Sequence, residues 1–149
     1  MVVDFKFKQT PKYRVATFAW KGPWKESRIR SEFEKVAKWA SQKGVRTGKW
    51  VFMEPGEKHF QVGVELKSKL RGEGDIHVTT LPAVRVASVV YDPDKVSPRV
   101  VYHGITDWLR WRKKDGEIKG VGAYREVYEG NPWTNAKAWA NTDVQVVVR

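Results

Sequence analysis

The heptapeptide Arg14 to Trp20 (RVATFAW) returns 71 residues later as Arg85 to Tyr91 (RVASVVY). The match extends outwards, because Asp4 and Pro11 recur at the same offset as Asp75 and Pro82. Each copy is followed by a segment of helical period and two of strand period. A chain that writes its plan twice is constrained to fold as two related halves with a seam between them. The expectation is one domain over residues 1–149, made of half-repeats 1–73 and 74–149, with function sought in a groove between the halves.

The pattern within each half supports this plan. Residues 2–8 alternate polar and apolar, the period of a strand with one wet face, and Thr10-Pro11 breaks the run. Lys12 to Trp20 is the first repeated strand, with Ala16, Phe18 and Trp20 on one face. From Glu26 to Lys43 the period becomes helical, with Ile29, Phe33, Val36, Ala37 and Ala40 as the apolar stripe. Strands are predicted at 49–53 and 59–67 around a turn at Glu54 to Glu57. Val62, Val64 and Leu66 belong under the helix, which leaves Glu65 on the opposite face.

The second half reads likewise. Strands are predicted at 75–79 and 83–91, and Ser97-Pro98 opens a helix running to Lys114 with Val101, Ile105, Trp108 and Leu109 buried. Gly104 within it either weakens the helix or permits close packing. Strands at 123–129 and 143–148 flank an irregular, Trp-bearing stretch over 132–141. The fold class is α+β: two pseudo-symmetric β-α-β-β halves forming a curved antiparallel sheet, two helices on one face and a ligand groove on the other.

Composition narrows the chemistry. With no cysteine there is no disulfide, thiol nucleophile or thiolate metal site. His59, His77 and His103 lack ligand spacing, so no metal and no cofactor is expected. The absence of a signal-like or membrane-spanning apolar run gives a cytoplasmic reading. The net charge of +11 is uneven, with 17 Lys/Arg against 8 Asp/Glu in residues 1–74 and 11 against 9 in residues 75–149. The basic residues are dispersed along the chain, which fits a solvated basic face, and nucleic acid is not an expected partner.

Eight tryptophans, five tyrosines and six phenylalanines exceed what a core of this size needs, and aromatic rings also wall planar ligands. On the strand from Tyr124 to Tyr128 the residues Tyr124, Glu126 and Tyr128 share a face. With the helices on one side of the sheet, the other is expected to hold a groove lined by Phe18, Trp20, Trp50, Phe52, Tyr91, Tyr124 and Tyr128. Glu65 and Glu126 are its carboxylates. Rings offer stacking and cation–π attraction, and a partly desolvated carboxylate offers the counter-charge. Such a groove suits a lipophilic aromatic molecule, above all a cation.

Two β-α-β-β halves, the segment Tyr124 to Pro132 (YREVYEGNP) and the closing strand Thr142 to Val148 (TDVQVVV) together resemble the GyrI-like small-molecule-binding family. Its relatives include the effector-binding domains of multidrug-responsive transcription activators. Arg125-Glu126-Val127-Tyr128 and Asn131-Pro132 carry the resemblance. It implies that Glu126 is the buried acid meeting cationic lipophilic ligands between tyrosine and tryptophan walls, with Trp133 and Trp139 altering the rim. No DNA-binding helices precede the domain here, so the chain by itself is not expected to be such an activator.

The leading reading is a binding protein for lipophilic aromatic cations. Some relatives resemble hydrolases that open strained rings; on that alternative Glu126 or Glu65 would activate water, with Tyr128, Tyr91 or Tyr124 as proton donor. A third reading is an inhibitor that binds a partner protein. Either a monomer or a weak homodimer fits.

Overall fold

The computed structural model describes residues 3–149. Eight strands form one antiparallel sheet: β1 (Lys6–Gln9), β2 (Tyr13–Lys21), β3 (Thr47–Gly56), β4 (His59–Leu66), β5 (His77–Leu81), β6 (Arg85–Tyr91), β7 (Val121–Tyr128) and β8 (Thr142–Val148). Helix α1 (Glu26–Gln42) follows β2, α2 (Pro98–Lys114) follows β6, and the short α3 (Ala136–Ala140) precedes β8. The order across the sheet is β1-β6-β8-β7-β3-β4-β2-β5. Among the described residues no helix is long and apolar enough to cross a membrane.

That order is palindromic with respect to the repeat. The strand before each repeated strand pairs with the other copy: β1 with β6, and β5 with β2. The registers correspond residue by residue. Gln9 lies opposite Arg85 as Thr80 lies opposite Arg14, and Lys6 opposite Ser88 as His77 opposite Thr17. Trp20 ends one copy opposite Phe60, and Tyr91 ends the other opposite Thr142. The halves meet where β3 pairs with β7, and there Phe52 faces Glu126 directly.

Both helices lie on one face of this sheet because the strands alternate apolar residues towards them. Ile29, Phe33, Val36, Trp39 and Ala40 of α1 cover Ala16, Phe60, Val62, Val64 and Leu66. Val101, Ile105 and Leu109 of α2 cover Ala87, Val89, Val144, Val146 and Val148. At roughly 1.5–3 kcal/mol for each fully buried aliphatic or aromatic side chain, either stripe outweighs the weak intrinsic preference of a 17-residue helix. Gly104 brings α2 close to the chain: a Cβ there would stand 2.8 Å from Cζ of Phe5, which packs on the second core. Of the two roles open for Gly104, the structure selects close packing.

Several boundaries differ from the sequence reading. The first strand is β1 at Lys6–Gln9, while Val2, where it was expected to begin, lies outside the described residues. β3 runs through Glu54-Pro55 to Gly56, because an irregularity between Met53 and Gly56 absorbs the proline. The turn therefore falls at Glu57-Lys58, with Lys58 at φ 56°. Ser97 precedes α2 without a side-chain capping bond, so Pro98 with its preset φ marks the start. Asn135 caps α3 by accepting from the backbone N–H groups of Lys137 and Ala138.

Candidate functional site

The parity of β7 places Tyr124, Glu126 and Tyr128 on the same face as Trp50 and Phe52 of β3, through the pairs Trp50–Tyr128 and Phe52–Glu126. Trp50 belongs to the core beneath α1, so this is the helix face. Contrary to the expectation of a groove on the helix-free side, the aromatic cavity lies between the helices. It has a volume of about 340 Å³. The starts of α1 (Glu26, Ile29, Phe33) and α2 (Pro98) flank it, with Pro93 before α2. Phe52, Tyr91, Glu126, Tyr128 and Thr142 of the sheet line it, and Trp24, Trp133 and Trp139 complete the wall.

The reason is geometric. Each helix sits over its own half and reaches the central pair β3–β7 only from its side, α1 through Phe33 on Trp50 and α2 through Tyr102 on Glu126, which leaves a cavity between them. The helix-free face is filled by its own side chains. Val15 and Val51 are fully buried there and Val127 nearly so, and a polar network ties the strands together. Lys8 Nζ and Ser88 Oγ donate to Asp143 at 2.6 Å each, Gln145 Nε2 donates to Asp143 at 2.9 Å, and Arg125 Nε donates to Gln145 Oε1 at 2.8 Å.

Glu126 is therefore held under α2. Its two oxygens each accept a hydrogen bond of 2.5 Å, Oε1 from Tyr102 Oη of α2 and Oε2 from Tyr128 Oη. Both oxygens thus act as acceptors from tyrosine hydroxyls. Burial, and then the charge of Glu126, raise the Tyr102 and Tyr128 hydroxyls far above the ordinary tyrosine range. Burial and the same charge push Tyr91 up to about 12. The two tyrosines stay protonated and keep donating. Among the described residues no cation forms an ion pair with Glu126, and no lysine or arginine lines the cavity.

The other sequence candidates divide. Phe52, Tyr91, Tyr128 and Trp133 line the cavity with Glu126. Trp50 lies behind the wall, stacked on Phe33 at 5.0 Å and next to Trp133 at 6.4 Å. Phe18 and Trp20 stack on each other away from it and carry the protein's own cations, Lys35 at 4.0 Å over Phe18 and Arg28 at 5.4 Å over Trp20. Tyr124 backs Tyr102 at 6.1 Å, its hydroxyl 3.0 Å from Thr106 Oγ1.

Glu65 is separated from all of these. It lies on the helix-free face, as its parity on β4 requires, and accepts from the Lys49 N–H at 3.0 Å with Lys67 Nζ at 3.4 Å. Gly48 makes room for this, since a Cβ there would stand 2.4 Å from Glu65 Oε1. Glu65 and Glu126 thus share no groove, and the expectation that they would is corrected: the register Val62–Phe52–Glu126 puts Glu126 on the face of Val62 and Val64, and Glu65 points to the other.

Sequence reasoning missed Tyr102, Trp24, Glu26, Pro93, Pro98 and Thr142. Tyr102 flanks the buried stripe of α2 next to Val101, and together with Thr106, four residues on, it forms a second polar stripe towards β7. That spacing was the available signal.

The chain matches the family described as the GyrI-like small molecule binding domain over residues 4–149. The chain belongs to this family. Among solved structures, the C-terminal domain of EcmrR superposes with a TM-score of 0.76 at 18% identity, covering 100% of this chain and 99% of that one. EcmrR in a complex with DNA gives 0.73 at 18% identity, over 99% of this chain and 57% of that one. A hydrolase from Listeria innocua gives 0.60 at 7% identity, over 97% and 91%. SAV2435 bound to tetraphenylphosphonium gives 0.55 at 7% identity, over 98% and 94%. At these identities the likenesses establish a shared fold. A comparison with curated proteins gives no match. The GyrI-like architecture, the aromatic clusters and the half-buried acid network around Glu126 thus characterise a small-molecule-binding domain.

Proposed function

We propose that this GyrI-like domain binds lipophilic aromatic cations in the cavity between α1 and α2, with Glu126 as counter-charge. The observation that carries the reading is a carboxylate with no cationic partner, facing a cavity whose walls are mainly aromatic rings and prolines. Removing a carboxylate from water costs several kcal/mol. Two charge-assisted hydrogen bonds, each worth about 1.5–3 kcal/mol, offset part of that cost and leave the negative charge in place. A ligand that brings positive charge and flat apolar surface supplies what is missing. The volume falls in the usual range for drug-sized ligands, about 300–1,000 Å³.

Hydrolysis through Glu126 receives less support from the geometry. Both Glu126 oxygens already accept from tyrosine hydroxyls, which compete with a water for them, and strongly raised tyrosines are poor acids. The test is calorimetric titration with tetraphenylphosphonium, a lipophilic cation found on SAV2435, while mass spectrometry follows the ligand. Saturable binding that weakens about tenfold to a hundredfold in Glu126→Gln, with the ligand mass unchanged, supports the proposal; the range corresponds to losing one partly buried charge interaction of roughly 1.5–3 kcal/mol. Undiminished binding in Glu126→Gln removes the role given to the carboxylate.

A further inference from the structure

The basic residues of the first half are dispersed in sequence, yet the fold gathers five of them. Two adjoining surface clefts, of about 410 and 520 Å³, share Arg14 as a wall. Lys12 and Lys67 line the first, and Lys69 and Arg71 the second. Among the described residues the only carboxylate lining either is Glu65, which the Lys49 N–H and Lys67 already engage. Among the described residues Lys12, Arg14, Lys69 and Arg71 form no ion pair. Close like charges repel, so a cluster left uncompensated is a standing field for an anion.

The fold does not need these charges. At the matching end of the other half, Ala83 stands where Lys12 does, and Val86 pairs with Val147 where Val15 pairs with Glu65. Arg14 has a counterpart in Arg85, so what distinguishes the first half is the set of further cations, Lys12 among them, that gathers around that arginine. We infer that these clefts bind the phosphate backbone of a nucleic acid, without reading its bases. Two open clefts joined through one arginine are too extended for a single phosphate and suit successive phosphates along a chain. Arginine forks and lysine ammoniums are the side chains that recognise them. An anionic membrane is the poorer fit, because the strongly exposed tryptophans, Trp24 and Trp111, line neither cleft and interfacial binding relies on such anchors.

The test is fluorescence anisotropy of a labelled mixed-sequence DNA duplex against the intact chain. Four to five phosphate contacts predict a slope of log affinity against log salt of about −4, and a loss of about a hundredfold or more between 50 and 200 mM salt. Lys12→Glu/Lys69→Glu/Arg71→Glu, all exposed positions, should abolish binding at 50 mM salt while retaining lipophilic-cation binding, which also reports an intact fold. Arg110→Ala/Lys113→Ala/Lys114→Ala, at the far end of α2, should change the affinity less than threefold. Three outcomes would overturn the inference: no binding at 50 mM salt, equal loss in both triple variants, or equally tight binding to phosphatidylglycerol vesicles with the same sensitivity to the first triple.

Discussion

At the scale of single residues the site rests on Glu126 and its two tyrosine donors. The raised tyrosines have a consequence for stability. Tyr91 is pushed up to about 12 by burial and then by the Glu126 charge, and Tyr102 and Tyr128 are raised further, against about 10 in an unfolded chain. A folded-state value above the unfolded one favours the protonated form. The contribution is therefore fully present below about pH 10 and lost as pH rises through 12 and beyond. Denaturant midpoints measured from pH 9 to 12 should fall steeply above about pH 10, and Glu126→Gln should flatten that fall in part, because it removes the Glu126 charge but leaves the burial that is the larger cause. A midpoint independent of pH in this window would contradict the network. The triplet Tyr124, Glu126, Tyr128 was legible because a strand alternates with period two. For Tyr102 the sequence offered only its four-residue spacing to Thr106 beside the apolar stripe, a signal that gains meaning once the facing strand is known.

Among the elements, α1 and α2 were readable from their apolar stripes, and the strands from alternation. Their separation over the sheet was not readable: it follows from the pairing of β3 with β7, a contact between residues more than seventy positions apart. That pairing turned the expected groove into a cavity between the helices. The tight seat of α2 gives a test at this scale. Leucine at position 104 would gain about 1 kcal/mol in helix propensity, but its Cβ would stand 2.8 Å from the Phe5 ring. Overpacking costs about 1–3 kcal/mol, so Gly104→Leu should be destabilising in chemical denaturation, and Phe5→Ala in the same chain should recover part of the loss. Additive effects of the two substitutions would contradict the contact. In α1, Phe33 is fully buried and stacked on Trp50, and Phe33→Ala should cost about 3–5 kcal/mol.

For the whole molecule, the repeat at an offset of 71 residues made the double plan visible, while the exchange of β1 and β5 between the halves left no mark on the sequence. Because β1 completes the second half and β5 the first, a fragment of residues 1–73 lacks the β5 strand that covers its β2 edge. It should show no cooperative unfolding by itself; a cooperative, monomeric fragment would contradict the interdependence. Charge is the other whole-molecule property. The chain carries +11, yet the cavity holds Glu26 and Glu126 and no basic side chain. The overall field favours anions and the site favours cations. Tryptophan-fluorescence titration with tetraphenylphosphonium and with tetraphenylborate, two ions of the same shape and opposite charge, sets the two effects against each other. Saturable binding of the cation at least tenfold tighter than the anion, reduced in Glu126→Gln, is the result this account predicts. Equal affinity, or tighter binding of the anion, would contradict it.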